Sequence, residues 1–410
     1  MRLSTSTATR ALALATSIFV AACGNSDAGG PAATATVSGV VTAASGGAIE
    51  AATVRIGTAT ATTSADGRFE IRDLPVGSAT LLTSATGFDP RSESISLSEG
   101  PNTHDVALTP AGEWELRAPL LANNSELAVA EANGKLYLLG GYPPNRQTVR
   151  TVQVYDIASD RWVLGPQLPQ PNNHGMAASV DGKIYLIGGQ TLADDPPGTN
   201  SYVDTVYELD PATGTWVAKA RMPTARSSGV AVVLDGKVYV AGGRPPREKD
   251  FAVYDPATDS WETLPALPAQ RNHMTGAAID GRIHVVGGRI GLGLGTARTT
   301  AHEVFDPRTR TWTTAAPMLR ARSGMNGVMA RGCFHVWGGE AQEGMFSDHD
   351  YYDPRTDQWS RLSDMPIPVH GVNGSAFVDG LIRIPGGGTL VGGSFGTTVN
   401  QVYRPAMSCE

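Results

Sequence analysis

Residues 235–261 read Asp235-Gly236-Lys237-Val238-Tyr239-Val240-Ala241-Gly242-Gly243, then a short loop, then Val253-Tyr254-Asp255-Pro256-Ala257-Thr258-Asp259-Ser260-Trp261. Asp-Gly suits a two-residue hairpin turn, whose central residues both need φ > 0. The apolar run after it predicts a buried strand, and Gly242-Gly243 ends that strand where backbone must come close to backbone. A second strand leads to Asp255-Pro256, with proline fixing φ for a type I turn. Trp261 closes the unit as a large apolar anchor.

The unit recurs. Glycine pairs begin at Gly140, Gly188, Gly242, Gly287, Gly338 and Gly386, at spacings of 48, 54, 45, 51 and 48 residues. Each is preceded by a turn: Asn133-Gly134, Asp181-Gly182, Asp235-Gly236, Asp280-Gly281, Arg331-Gly332 and Asp379-Gly380. Asp-Pro follows at Asp210, Asp255, Asp306 and Asp353, while the first unit has Asp156-Ile157. A period of about 50 residues with this pattern resembles the kelch repeat. The resemblance implies one four-stranded blade per unit (strands a to d from the axis outward) and an all-β, six-bladed propeller over residues 112–410. Trp162, Trp216, Trp261, Trp312 and Trp359 belong to five units, and the sixth unit ends without one. Trp114 precedes the first unit, so the segment around it is expected to supply the outermost strand of the last blade and close the ring.

Residues 35–110 alternate apolar and polar positions between Asp-Gly and Pro/Gly turns, as a small antiparallel sandwich does. Val37-Ser38-Gly39-Val40, Ala52-Thr53-Val54, Asp66-Gly67-Arg68-Phe69, Leu74-Pro75-Val76-Gly77 and Gly87-Phe88 together resemble the carboxypeptidase regulatory-like domain. That resemblance implies a prealbumin-like, seven-stranded β-sandwich serving as a spacer or adaptor.

With 48 glycines, 27 prolines and 17% charged residues, the 410-residue chain suits many short strands. Its net charge of −7 offers no general basic field, which argues against a nucleic-acid partner. At the N-terminus, Arg2 and Arg10 accompany a small apolar segment over residues 11–22, too short to span a bilayer. Val20-Ala21-Ala22-Cys23 resembles the bacterial lipobox. The resemblance implies a signal peptide over 1–22, acylation of Cys23 and a tether over 23–34. Gly24 in place of Asp implies outer-membrane sorting. A lipid-anchored protein of the bacterial cell envelope is therefore expected, its membrane contact made through the N-terminal lipid. Whether Cys333 and Cys409 pair stays open: the compartment permits a disulfide, but the two fall on different strands of adjoining units.

In such a blade the d–a and b–c loops share one face. Sixteen residues before each glycine pair come Asn124, Asn172, Arg226, Arg271, Arg322 and His370, expected to start strand a at the mouth of the central channel. The first five lie ten residues after a tryptophan and His370 lies eleven after one, which makes it the irregular member. Two residues further on come Glu126, His174, Ser228, His273, Gly324 and Val372. Tyr142, Gln190, Arg244, Arg289, Glu340 and Gly388 follow the glycine pairs. Guanidinium forks match carboxylate and phosphate, so Asn124, Asn172, Arg226, Arg271, Arg322, His370, Arg244 and Arg289 are candidate contacts for an anionic ligand. The competing reading has these arginines bonding to neighbouring loops, as kelch units commonly do.

The reading favours a binding protein whose loop-rich face recognises a protein or glycan. One alternative is a mutarotase or isomerase of an acidic sugar such as sialic acid, as some six-bladed kelch proteins are. Glu126, His174, His273 and Glu340 would then be the acid–base candidates, with Arg226 or Arg271 on the carboxylate. A structural envelope protein is the third. The sequence points to no cofactor and no metal: His174 and His273 come from units that are not adjacent, and Cys333 begins a strand b on the face away from the channel mouth. Glu340, Glu343, Asp348 and Asp350 lack the spacing of a calcium loop and read as a solvated surface loop.

Overall fold

The computed structural model describes residues 33–44, 46–145, 147–192, 201–392 and 395–410, all of whose regular elements are strands. The expected signal segment and Cys23 lie outside the described residues, as does most of the 23–34 tether.

The first unit is a sandwich of two four-stranded sheets. Its last two strands, Gly100–Thr103 and Val106–Leu108, both run parallel to Thr34–Ala43. They act as one strand interrupted at His104-Asp105, where Asp105 Oδ1 accepts from the Val40 N–H at 2.9 Å. This break reconciles eight short strands with the seven expected. Gly39 is required there, because a Cβ would overlap the His104 carbonyl. Val37, Val41, Val54, Leu81 and Leu108 fill the core between the sheets.

Six blades follow, five of them four-stranded sheets and the first extended to five by Val372–Asn373, which runs parallel to Leu127–Ala132. The quoted unit is blade three: Val230–Leu234, Lys237–Ala241, Phe251–Asp255 and Ser260–Thr263. Asp235 and Gly236 have φ of 51° and 72°, as a type I′ turn demands, and the other five hairpins repeat this. Asp255 Oδ1 accepts from the Ala257 N–H at 3.0 Å inside the Asp-Pro turn. Gly242 (φ 61°) lies so near the next blade that a Cβ would sit 2.7 Å from the Arg271 carbonyl oxygen. Trp261 Nε1 donates to Ala220 O at 2.8 Å, on the link into its own blade. Trp162, Trp216, Trp312 and Trp359 make the same bond to Ala118, Pro166, Pro265 and Ala316.

The last blade consists of Ala376–Val378, Leu381–Pro385, Asn400–Arg404 and the N-terminal Glu113–Leu116, with Trp114 opposite Tyr403. The ring closes as expected, so the first and last blades leave no open edge between them. A bond from Cys333 to Cys409 ties the C-terminal tail to blade five. Beyond strand c of blade six the tail returns to the Arg331 hairpin of blade five, where the Cys409 N–H donates to Arg331 O at 2.8 Å. The open question on these cysteines is thus answered: the tail crosses the blade boundary that separates them in sequence.

Candidate functional site

The innermost strands leave an axial channel. Its wider end is a cavity of about 460 Å³ walled by small and aliphatic strand-a residues such as Ala178, Val232, Ala277 and Val328. Toward the loop-rich face it narrows at a belt of backbone hydrogen bonds. The N–H groups of His174, Ser228, His273, Gly324 and Gly371 each donate to the carbonyl of the preceding blade's member, beginning at Glu126. Leu127 N–H then closes the circle onto Gly371 O. All six belt residues have φ between 50° and 66°. This left-handed backbone aims their side chains at the axis.

The belt corrects the register of blade six. Its member is Gly371, not Val372, and Val369 takes the place matching Asn124, its carbonyl accepting from Gly339 N–H as Asn172 O accepts from Gly141. His370 is therefore the counterpart of Ser125, Asn173, Ser227, Asn272 and Ser323. Val369 lies ten residues after Trp359, as its counterparts do after their tryptophans, so the extra residue falls between Gly371 and Gly386, where strand a is split into Val372–Asn373 and Ala376–Val378.

Asn124, Asn172, Arg226, Arg271 and Arg322 are corrected as well: they do not line the channel mouth. All are buried. Their side chains turn into the blade and satisfy carbonyls at the end of strand b: Gly140, Gly188, Val240, Val285 and Gly338. Arg271 also pairs with Glu303, and Arg322 with Asp350. Burial of a cation is tolerable here because carbonyls and carboxylates surround it. Asp348 and Asp350 are likewise no solvated loop. Both are buried and bind Arg361, while Glu340 points into the channel.

Arg244, Arg289 and His370 do gather at the axis, with Glu126, His174, His273 and Glu340. Arg289 Nη1 pairs with Glu340 Oε1 at 2.8 Å, and its Nη2 donates to His273 Nε2 at 3.0 Å. Arg244 Nη2 lies 3.1 Å from His174 Nε2, which is 3.0 Å from Glu126 Oε2. The His174 and His273 rings stand edge to face with centroids 5.3 Å apart, although their blades are not neighbours. Across a ring this narrow, non-adjacent blades meet, so the sequence argument against their cooperation fails. Glycine at 324 and 371 makes room: a Cβ on Gly371 would lie 2.7 Å from the Glu126 carboxylate carbon, and one on Gly324 3.3 Å from Glu340 Cγ.

Burial pushes His174 down to about 3 against the opposing pull of Glu126. His273 is lowered too, by burial and the Arg289 charge. Burial also disfavours charge on His370, yet Glu340 and Glu126 outweigh it and raise the ring to about 9. Burial works against the Glu126 carboxylate, but His174, His370 and Arg244 hold it below the usual range. At neutral pH the site thus holds Glu126 as a carboxylate, His174 and His273 as neutral imidazoles and His370 as an imidazolium.

Above the belt, Glu126, Tyr142, His174, Arg244, Arg289 and Glu340 line a pocket of about 220 Å³, with Leu292, Leu294 and Gly392 at its rim. Gly392 N–H donates to Glu340 Oε2 at 2.8 Å. Leu192, Leu292, Leu390 and Phe395 stand exposed on the b–c loops of this same face. Asn173 and Asn272, which orient the two histidines, were missed. The signal was available: Asn-His recurs at one repeat position in blades two and four.

Comparison with known proteins gives the same architecture. The KLHDC2/KLHL20/DRC7 Kelch-repeats domain model matches residues 113–288, the Kelch motif model residues 270–319, and the carboxypeptidase regulatory-like domain model residues 36–109. Kelch-like protein terF of Aspergillus terreus is 31% identical over 319 residues, which is 72% of this chain and 69% of that protein. Kelch-like protein 25 of Xenopus tropicalis is 31% identical over 157 residues, 38% of this chain and only 25% of that protein's length. A solved structure of YjhT superposes with a TM-score of 0.58 at 17% identity, covering 70% of this chain and 97% of that one, a likeness of fold alone. The chain belongs to the kelch-repeat proteins.

Proposed function

We propose that this is an envelope recognition protein whose loop-rich propeller face binds a protein or glycan through an anionic group. The observation that carries the reading is the pair Arg244 and Arg289 facing one 220 Å³ pocket. Guanidinium groups there are positioned for a carboxylate, and partial exclusion of water strengthens the attraction. Leu192, Leu292, Leu390 and Phe395 give the surrounding loops an apolar contact surface. The lipid anchor at Cys23 belongs to the same reading and rests on the lipobox-like Val20-Ala21-Ala22-Cys23. A screen of acidic and neutral glycans and envelope proteins against the full chain tests it. Binding of acidic members that Arg244→Ala abolishes is the expected result, and indifference to that change refutes the pocket's role.

The second reading is ring opening and closing of an acidic sugar. It is favoured by Glu126, His174 and Glu340 sharing the pocket with both arginines, while His370, the protonated group, contacts the two carboxylates. Base and acid then lie together, as anomer exchange requires. Exchange NMR of N-acetylneuraminate separates the two readings: a rate no faster than buffer removes the second.

A further inference from the structure

Asn173 Nδ2 donates to Thr148 Oγ1 and Leu192 O, which leaves its Oδ1 facing His174 Nδ1 at 2.5 Å. Asn272 Nδ2 donates to Gly291 O, which likewise turns its Oδ1 onto His273 Nδ1. Both rings therefore carry the Nδ1 proton and present Nε2 to the axis. His174 Nε2 then faces Glu126 Oε2 at 3.0 Å, an acceptor against an acceptor. The second Glu126 oxygen is steadied by His370 Nδ1 at 3.4 Å.

We propose that His174 Nε2, His273 Nε2 and a Glu126 carboxylate oxygen form a binding site for a divalent transition-metal ion of the zinc class. The three ligand atoms lie within 4.8 Å of one another, all on buried residues. Bond lengths of about 2.0–2.2 Å place tetrahedral ligand atoms roughly 3.4 Å apart, so a small inward movement closes the site. Imidazoles oriented by a carbonyl on the far nitrogen, and a carboxylate held by a neighbouring histidine, are the outer support such sites need. The remaining coordination positions open toward the loop-face pocket. Two cations already sit on these lone pairs, the forks of Arg244 and Arg289. The metal replaces them: Arg244 is half-exposed and can turn outward, and Arg289 keeps Glu340. Their charges compete with the ion, so removing Arg244 should tighten binding.

The test is titration of the full chain with Co²⁺ and Zn²⁺ alone by calorimetry, with the visible Co²⁺ spectrum as a second readout on the unaltered protein. The expected result is one ion per chain, at least 10-fold weaker binding in His273→Gln and in Glu126→Gln, and several-fold tighter binding in Arg244→Gln. His284→Gln, a buried histidine elsewhere, should bind as the parent does. Absence of a 1:1 complex at about 100 µM metal, or equal affinity in His273→Gln, overturns the proposal. So does imidazole ¹⁵N NMR of the metal-free chain showing an Nε2–H bond from His174 to Glu126. No arm uses an anionic ligand, so failure here leaves the recognition reading standing.

Discussion

Replacing Arg322 by methionine separates a scaffold arginine from a ligand arginine. Its Nη1 donates to Asp348 O at 2.8 Å and Gly338 O at 3.3 Å, and its Nη2 binds the Asp350 carboxylate. Arg322 and Asp350 are both 0% exposed. Removing one partner of a buried pair costs about 3–5 kcal/mol, because the other charge stays behind. Arg361 remains 3.4 Å from Asp350 and absorbs part of that, so the expected loss is about 3 kcal/mol. At about 2 °C per kcal/mol for a domain of this size, Tm should fall by about 6 °C in thermal unfolding followed by circular dichroism. Changing Asp350 to leucine in the same protein should restore most of it, since the orphaned charge is then gone. A Tm within about 1 °C of the parent, with ligand capture lost, would show that Arg322 serves the ligand and not the blade.

Reducing the Cys333–Cys409 bond, which closes a 76-residue separation, should lower stability by about 4 kcal/mol in the chain-entropy view; denaturant midpoints with and without reductant measure it. Deleting residues 112–118 removes the fourth strand of the last blade and should open the ring, and unchanged thermal unfolding would contradict the closure. His284, His302 and His335 are pushed by burial to about 3, about 4 and about 3, and His349 also lies well below its ordinary value. Folded values below the unfolded value of about 6.5 mean that stability is intact above that pH and falls as pH drops toward 4, by about 3 kcal/mol at pH 4.5 for each of His284, His302 and His335. Denaturant midpoints from pH 7 to 4.5 should show this slope, and a flat profile would contradict it.

The scaffold was readable because each of its demands falls on one residue type. A left-handed turn selects Asn-Gly or Asp-Gly, a close blade contact selects Gly242-Gly243, and a blade-to-blade anchor selects Trp261. The lone Trp114 even located the closing strand. The site was less readable because facing is not written in spacing. Counting back sixteen residues found Arg226, Arg271 and Arg322, whose long side chains turn into the blade to meet strand-end carbonyls. The same count found His370 by accident: one inserted residue between Gly371 and Gly386 makes the count land one position late, on a ring that faces Glu126 and Glu340. Arg244 and Arg289 were found as the residues that follow a glycine pair, and they do reach the pocket. The meeting of His174 with His273 was hidden because chain order says nothing about distance across a channel.

The recognition reading stands or falls on Arg244, which lines the pocket and supports no blade carbonyl among its described hydrogen bonds. The decisive measurement is a calorimetric titration of the full chain and of Arg244→Ala with acidic glycans from the screen, alongside the Tm of each. Loss of at least 10-fold in affinity with Tm unchanged is the predicted result. Equal affinity in the two proteins, or a loss matched by a fall in Tm, would contradict it.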